Sequence, residues 1–148
     1  MNSVQDKIVF VFNKILINFF KEIKKEKFFK LAIKKNYKVI DKSSDKNVKY
    51  FYKKIKDFGE LLCEPELNLD ELSNNEDFKN TNIFKNINIG HLFRVYKDDK
   101  DKKVIVSYIL TLLLLTMLYQ DSVSIIESNS HLNDTEVLVD DDDIDDIE

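Results

Sequence analysis

Nucleophilic catalysis and metal binding draw on cysteine, histidine and clustered carboxylates, and this chain is poor in the first two. Cys63 is the only cysteine, and His91 and His131 are the only histidines. A thiolate close to an imidazole and an acid can act as a nucleophile, so Cys63, His91 and a carboxylate form the one such grouping the sequence offers. Cys63 follows Leu61 and Leu62 at an expected helix end, where its ordinary role is that of a small buried hydrophobe. His91 sits between Gly90 and Leu92 at an expected helix start, and neither residue has an orienting partner nearby in sequence. With one cysteine there is no disulfide within the chain and no cysteine-rich zinc site. Two glycines cannot build a glycine-rich phosphate loop. The expectation is a non-enzymatic protein with no catalytic, cofactor-binding or metal-binding residues.

Charge is the other source of chemistry, and it is divided unevenly. Residues 1–57 carry sixteen lysines against six acids, and residues 58–148 carry seven bases against twenty-one acids. Lys21, Lys24, Lys25, Lys27, Lys30, Lys34, Lys35 and Lys38, interleaved with Phe28, Phe29 and Tyr37, can meet phosphates by point-charge contacts with aromatic support. Lys49, Lys53, Lys54 and Lys56 extend the set. These twelve are the candidate contacts for nucleic acid or for a protein partner. A solvated face in a lysine-biased composition is the plainer account, because Arg94 is the single arginine and base-specific readout relies on the arginine fork. From Ser128 onward the chain has acidic residues and no Lys or Arg. Self-repulsion should keep that tail extended and disordered. It lacks the ordered spacing and turn glycine of a calcium loop.

The elements that would position these residues are helical. Apolar Ile8, Val11, Phe12, Ile15, Leu16, Phe19 and Ile23 recur at the three- and four-residue spacing of one helix face. That helix starts near Val4, and its phase slips near Lys24 and Lys25, predicting a bend or a second helix reaching Ile33. Asp41 to Asn47 reads as a loop with a helix N-cap. Val48, Phe51, Tyr52, Ile55, Phe58 and Leu62 then mark an amphipathic helix that Gly59 and Pro65 should end near Leu62 to Glu64. Residues 66–88 are expected to be irregular or to form short helical turns, and 90–96 a short helix. Val104 to Gln120 is seventeen residues without a charge, the centre of a helix expected over about 102–127. A helix apolar on every side must be covered all round. Seventeen residues barely span a bilayer core of about 30 Å, so the sequence favours a core helix wrapped by the other helices, with a membrane span at 104–120 as the alternative. Lys14 interrupts the N-terminal apolar run, which argues against a secretory signal.

From Asn80 onward the order of features resembles short, uncharacterised helical proteins of nucleocytoplasmic large DNA viruses of the mimivirus-like kind. The residues carrying the resemblance are Ile87-Asn88-Ile89-Gly90-His91-Leu92-Phe93, a charged lysine-containing turn, and the apolar run from Val104 to Leu113. An aromatic common in that group near Ile105 or Val106 is missing here. The resemblance implies an all-helical viral protein of the virion or the infection factory, and it brings no catalytic residues.

The expectation is thus an all-α chain: a compact helical bundle over residues 1–127 with a central apolar helix, then a disordered acidic tail over 128–148. Its expected role is that of an intracellular interaction or structural protein, placed in host cytoplasm or virion if viral. An unknown protein partner or self-association comes first, nucleic acid through the basic half second, and a small membrane protein third. No cofactor is expected.

Overall fold

The computed structural model describes residues 3–24, 29–30, 33–34, 40–64, 66 and 68–129, with side chains as far as Ser124. Lys25, Lys27, Lys35, Lys38, Pro65 and the acidic stretch from residue 130 lie outside the described residues.

Helix α1 (Val4–Ile23) starts where Ser3 Oγ accepts a hydrogen bond from the Asp6 amide, at 3.0 Å. Its inner face buries Phe12, Leu16, Phe19 and Ile23 of the period read from the sequence, together with Val9 and Phe20, whereas Val11 of that period is exposed and Ile8 and Ile15 are half-buried. Residues 29–30 and 33–34 are helical as well, and Phe29 and Ile33 are buried.

Helix α2 (Lys46–Ile55) buries Val48, Phe51 and Ile55. It leads through a 3-10 turn (Lys56–Phe58) into a one-turn helix α3 (Gly59–Leu62), so the chain leaves this segment where the sequence predicted. Gly59 is not the stop signal, since its backbone is right-handed helical and a side chain there would meet nothing.

Residues 68–88 are more ordered than their polar composition suggests. Asn68 caps α4 (Leu69–Ser73) by accepting from the Glu71 amide, and Asn75 caps α5 (Glu76–Lys79) by accepting from the Phe78 amide. A two-stranded antiparallel hairpin follows, β1 (Asn82–Phe84) and β2 (Ile87–Asn88), where only irregular structure or helical turns were expected. Asn86, at φ 64°, makes its turn, because asparagine tolerates the left-handed region better than most residues. Asn88 then caps α6 (Ile89–Val95) through the His91 amide.

Helix α7 (Asp99–Asn129) is the longest element, and it includes Ser128 and Asn129, which the sequence reading gave to the tail. Asp99 and Asp101 in its first turn suit the positive end of the helix dipole. It runs antiparallel to α1. Tyr119 lies by Gln5, Asp6 and Val9, and Tyr108 packs at a tilt of 41° on Phe19 with ring centroids 5.0 Å apart. The chain is an all-α bundle built on α7, α1 and α2, with the hairpin as a small cover.

Rings tie the layers together. Phe12 meets Phe51 at 5.8 Å, Phe51 meets Phe84 at 5.5 Å, and Phe84 meets Phe20 at 5.6 Å. Edge and offset contacts of this kind add about 1 kcal/mol beyond burial.

Candidate interaction surface

Among the described residues, the apolar helix is central but covered on one side. Ile105, Val106, Ile109, Leu112, Leu113, Thr116 and Tyr119 are buried against the rest of the bundle. On the opposite side Val104, Leu114, Met117 and Leu118 are exposed, Leu118 by 54%. The expectation of complete coverage is therefore corrected. Among the described residues, α1, α2 and small flanking elements pack on α7, and these reach one side of it.

The open side is organised. Val104, Ser107, Thr111, Leu114 and Leu118 all face solvent at three- and four-residue intervals, one continuous stripe along the helix. On α1 a second row at the same spacing, Val4, Ile8, Val11 and Ile15, runs beside it, with Val4 and Val11 exposed. Where the two helices meet, Ile15, Lys103, Val104, Ser107, Tyr108 and Thr111 line an open, mainly apolar recess of about 350 Å³. Monomeric soluble proteins seldom expose a contiguous apolar area of more than a few hundred Å², and such patches mark contact sites. The described residues hold one helical stretch, Asp99–Ser124, long and apolar enough to cross a membrane by length and composition.

A second, polar recess of about 280 Å³ lies at the far end of α7, lined by Gln5, Asp6, Val9, Ser43, Ser44, Asp45 and Tyr119. Here the Tyr119 hydroxyl donates to Asp45 Oδ2 at 2.7 Å, and Lys49 Nζ lies 3.0 Å from the same oxygen. Burial pushes the Asp45 carboxyl up, but the bonds from Tyr119 and Lys49 outweigh it and hold the group below its ordinary range. Burial, followed by the bond to Asp45, pushes the Tyr119 phenol well above its usual value. A phenol held protonated against a carboxylate already paired with lysine is a clamp between α7 and α2.

Above this recess sits Asn13, which the sequence reading passed over. Its side chain is fully buried, and Nδ2 donates to the carbonyls of Asp41, Lys42 and Ser44 at 3.3, 3.2 and 2.9 Å. Asn13 Oδ1 finds no hydrogen-bond donor among the described residues. The one sign in the sequence is a lone asparagine between Phe12 and Leu16 on an apolar face. The loop it holds is stiffened by Asp41, which accepts from the Ser43 amide and hydroxyl.

The nucleophilic grouping fares differently from its parts. Cys63 is exposed, not the buried hydrophobe the sequence suggested, because the chain turns outward after Leu62. His91 packs its ring against Phe29, with centroids 4.9 Å apart. Among the described residues, no group of three or more His, Cys, Asp or Glu could hold a metal ion.

Of the twelve candidate lysines, Lys21, Lys24, Lys30, Lys34 and Lys56 are exposed, and Lys49, Lys53 and Lys54 are half-buried on α2. Lys49 pairs with Asp45, Lys54 lies 5.3 Å from the Tyr50 ring centroid and Lys56 lies 5.9 Å from that of Tyr52. Lys49 and Lys54 are thus drawn onto their own helix and its N-cap. Lys21 and Lys24 stand at the end of α1 near the start of α7, as the contact of Tyr96 with the Glu22 carbonyl shows. No family model, curated protein or solved structure matches the chain.

Proposed function

We propose that this chain is a non-enzymatic helical interaction or structural protein whose working surface is the open face of α7 and α1. The observation that carries the reading is the solvent-facing row Val104, Leu114, Met117 and Leu118 on α7, the longest helix among the described residues. Leaving such a row in water forfeits about 25 cal/mol for each Å² of apolar surface, and a partner that covers it recovers that free energy. The viral resemblance of residues 80–113 suggests a virion or infection-factory setting.

A photo-crosslinking amino acid placed at Leu114 tests the reading in the native cells, with the same group at Cys63 as control. Protein adducts at 114 that are absent at 63 support it. Lipid adducts at 114 favour the membrane reading, and no adducts at either position sink the proposal. A second reading, binding of nucleic acid through the basic half, draws on the exposure of Lys21, Lys24, Lys30 and Lys34.

A further inference from the structure

We propose that the occupant of the open α7 face is a second copy of this chain, packed antiparallel about a two-fold axis; this rests on reading the face as a protein-binding surface. The face is divided along its length into a hollow and a projection. The hollow is the mainly apolar recess at Val104, Ser107, Tyr108 and Thr111, open to solvent. The projection is Leu114, Met117 and Leu118, exposed by 46%, 42% and 54%. Ser107 and Leu118 are eleven residues apart, about 16 Å along the axis at about 1.5 Å per residue.

A two-fold axis lying across α7, midway between residues 112 and 113, makes this surface complementary to itself. It sets Leu118 of each copy over Ser107 of the other, and Leu114 over Thr111, so each leucine pair fills the other copy's recess. In such an isologous contact one patch supplies both halves.

Charge selects the same arrangement. Lys103 rims the recess, and Asp121 stands beside Leu118. Eighteen residues apart, they lie five turns from each other on one line of the helix. Both are without an ion-pair partner among the described residues, and both are exposed. The antiparallel axis brings Lys103 of each copy level with Asp121 of the other, to within one residue. A parallel two-fold would set Asp121 against Asp121, Lys103 against Lys103, and leucine on leucine with the hollows unfilled. The pairing also sequesters the stripe that a monomer leaves in water.

Sedimentation velocity of the full chain at micromolar concentration, run with charge variants, tests the proposal. The expected result is a dimer that K103D or D121K each weakens about tenfold, since two symmetry-related pairs turn repulsive. The double variant K103D/D121K should return to within about twofold of the natural chain. A Cys63→Ser chain carrying S107C and L118C should form a covalent dimer on mild oxidation, whereas either cysteine alone should not. A monomer throughout the micromolar range overturns the proposal, as does a double variant no better than the single ones. So does co-flotation of the monomer with phosphatidylcholine–phosphatidylserine vesicles. A monomer that still gives adducts to a different protein at position 114 in cells would remove the dimer and leave the interaction reading standing.

Discussion

Replacing Asn13 by aspartate changes one amide nitrogen to oxygen and reverses the chemistry of a fully buried polar side chain. The amide of Asn13 is fully buried and aims its two N–H bonds at three carbonyl oxygens, between 2.9 and 3.3 Å away. Asn13→Ala loses those bonds, each worth about 1 kcal/mol net, but it also removes the unpartnered Oδ1. The two effects oppose, and the loss should come to about 2 kcal/mol. Asn13→Asp places a carboxylate where three acceptors already converge, and an unpaired buried charge costs about 3–5 kcal/mol. The new carboxyl is driven toward its protonated form in the folded state, so its native pKa is raised. Its destabilisation should be full near neutral pH and should shrink as pH falls toward the carboxylate range. Urea denaturation of the natural chain and both variants at pH 7 and pH 5 reads all of this. An Asn13→Asp penalty below about 1 kcal/mol, or one independent of pH, refutes the placement of Asn13 against the 41–44 loop.

Three further outcomes follow from the same structure. Tyr119→Phe removes the donor to Asp45 and should cost about 1 kcal/mol, at the low end for a charged acceptor because the Asp45 side chain is 38% exposed. The Asp45 carboxyl is held below its ordinary 3.8, so its contribution is present above that pH and lost as pH falls through the native value, and the variant should lose less on acidification. The Tyr119 phenol is raised above 10.0, so its contribution is present below that pH and declines above it; urea unfolding at alkaline pH should show a decline that the variant lacks. Gly90→Ala puts a methyl 2.8 Å from the Lys79 carbonyl oxygen and 3.1 Å from the capping Oδ1 of Asn88, and thermal unfolding should register a loss of about 2 kcal/mol. Duplex DNA should bind weakly, without a steep salt slope and without gain on deleting residues 128–148, whereas a steep slope that grows on deletion would put the nucleic-acid reading first.

The helices legible in the sequence were those whose burial follows one period. Phe12, Leu16, Phe19 and Ile23, then Val48, Phe51 and Ile55, are buried where their spacing placed them. What stayed hidden depended on contacts far apart in the chain or on single polar atoms. The hairpin at 82–88 rests on Asn86 in the left-handed region, and a composition crowded with asparagine masks that signal. The same abundance of asparagine obscures Asn68, Asn75 and Asn88, each of which caps a helix. The coverage of α7 could not be read from its own residues. Leu112 to Leu115 are apolar on every side, so their pattern does not say which side the chain leaves open. Cys63 was misjudged for a related reason, because the direction of the chain after Leu62 is set by tertiary packing.

The claim on which the account turns is that α7 is covered by its own chain on one side and left apolar and accessible on the other. Thiol labelling of single cysteines along α7 in a Cys63→Ser chain, in dilute detergent-free solution, measures it directly. Ile105, Ile109, Leu112 and Thr116 replaced by cysteine should be protected, and Ser107, Thr111, Leu114 and Leu118 should react quickly, giving a helical period in the rates. Uniform protection along the helix would mean that the chain wraps it completely, and uniform reactivity that the bundle does not hold it; either result contradicts the account.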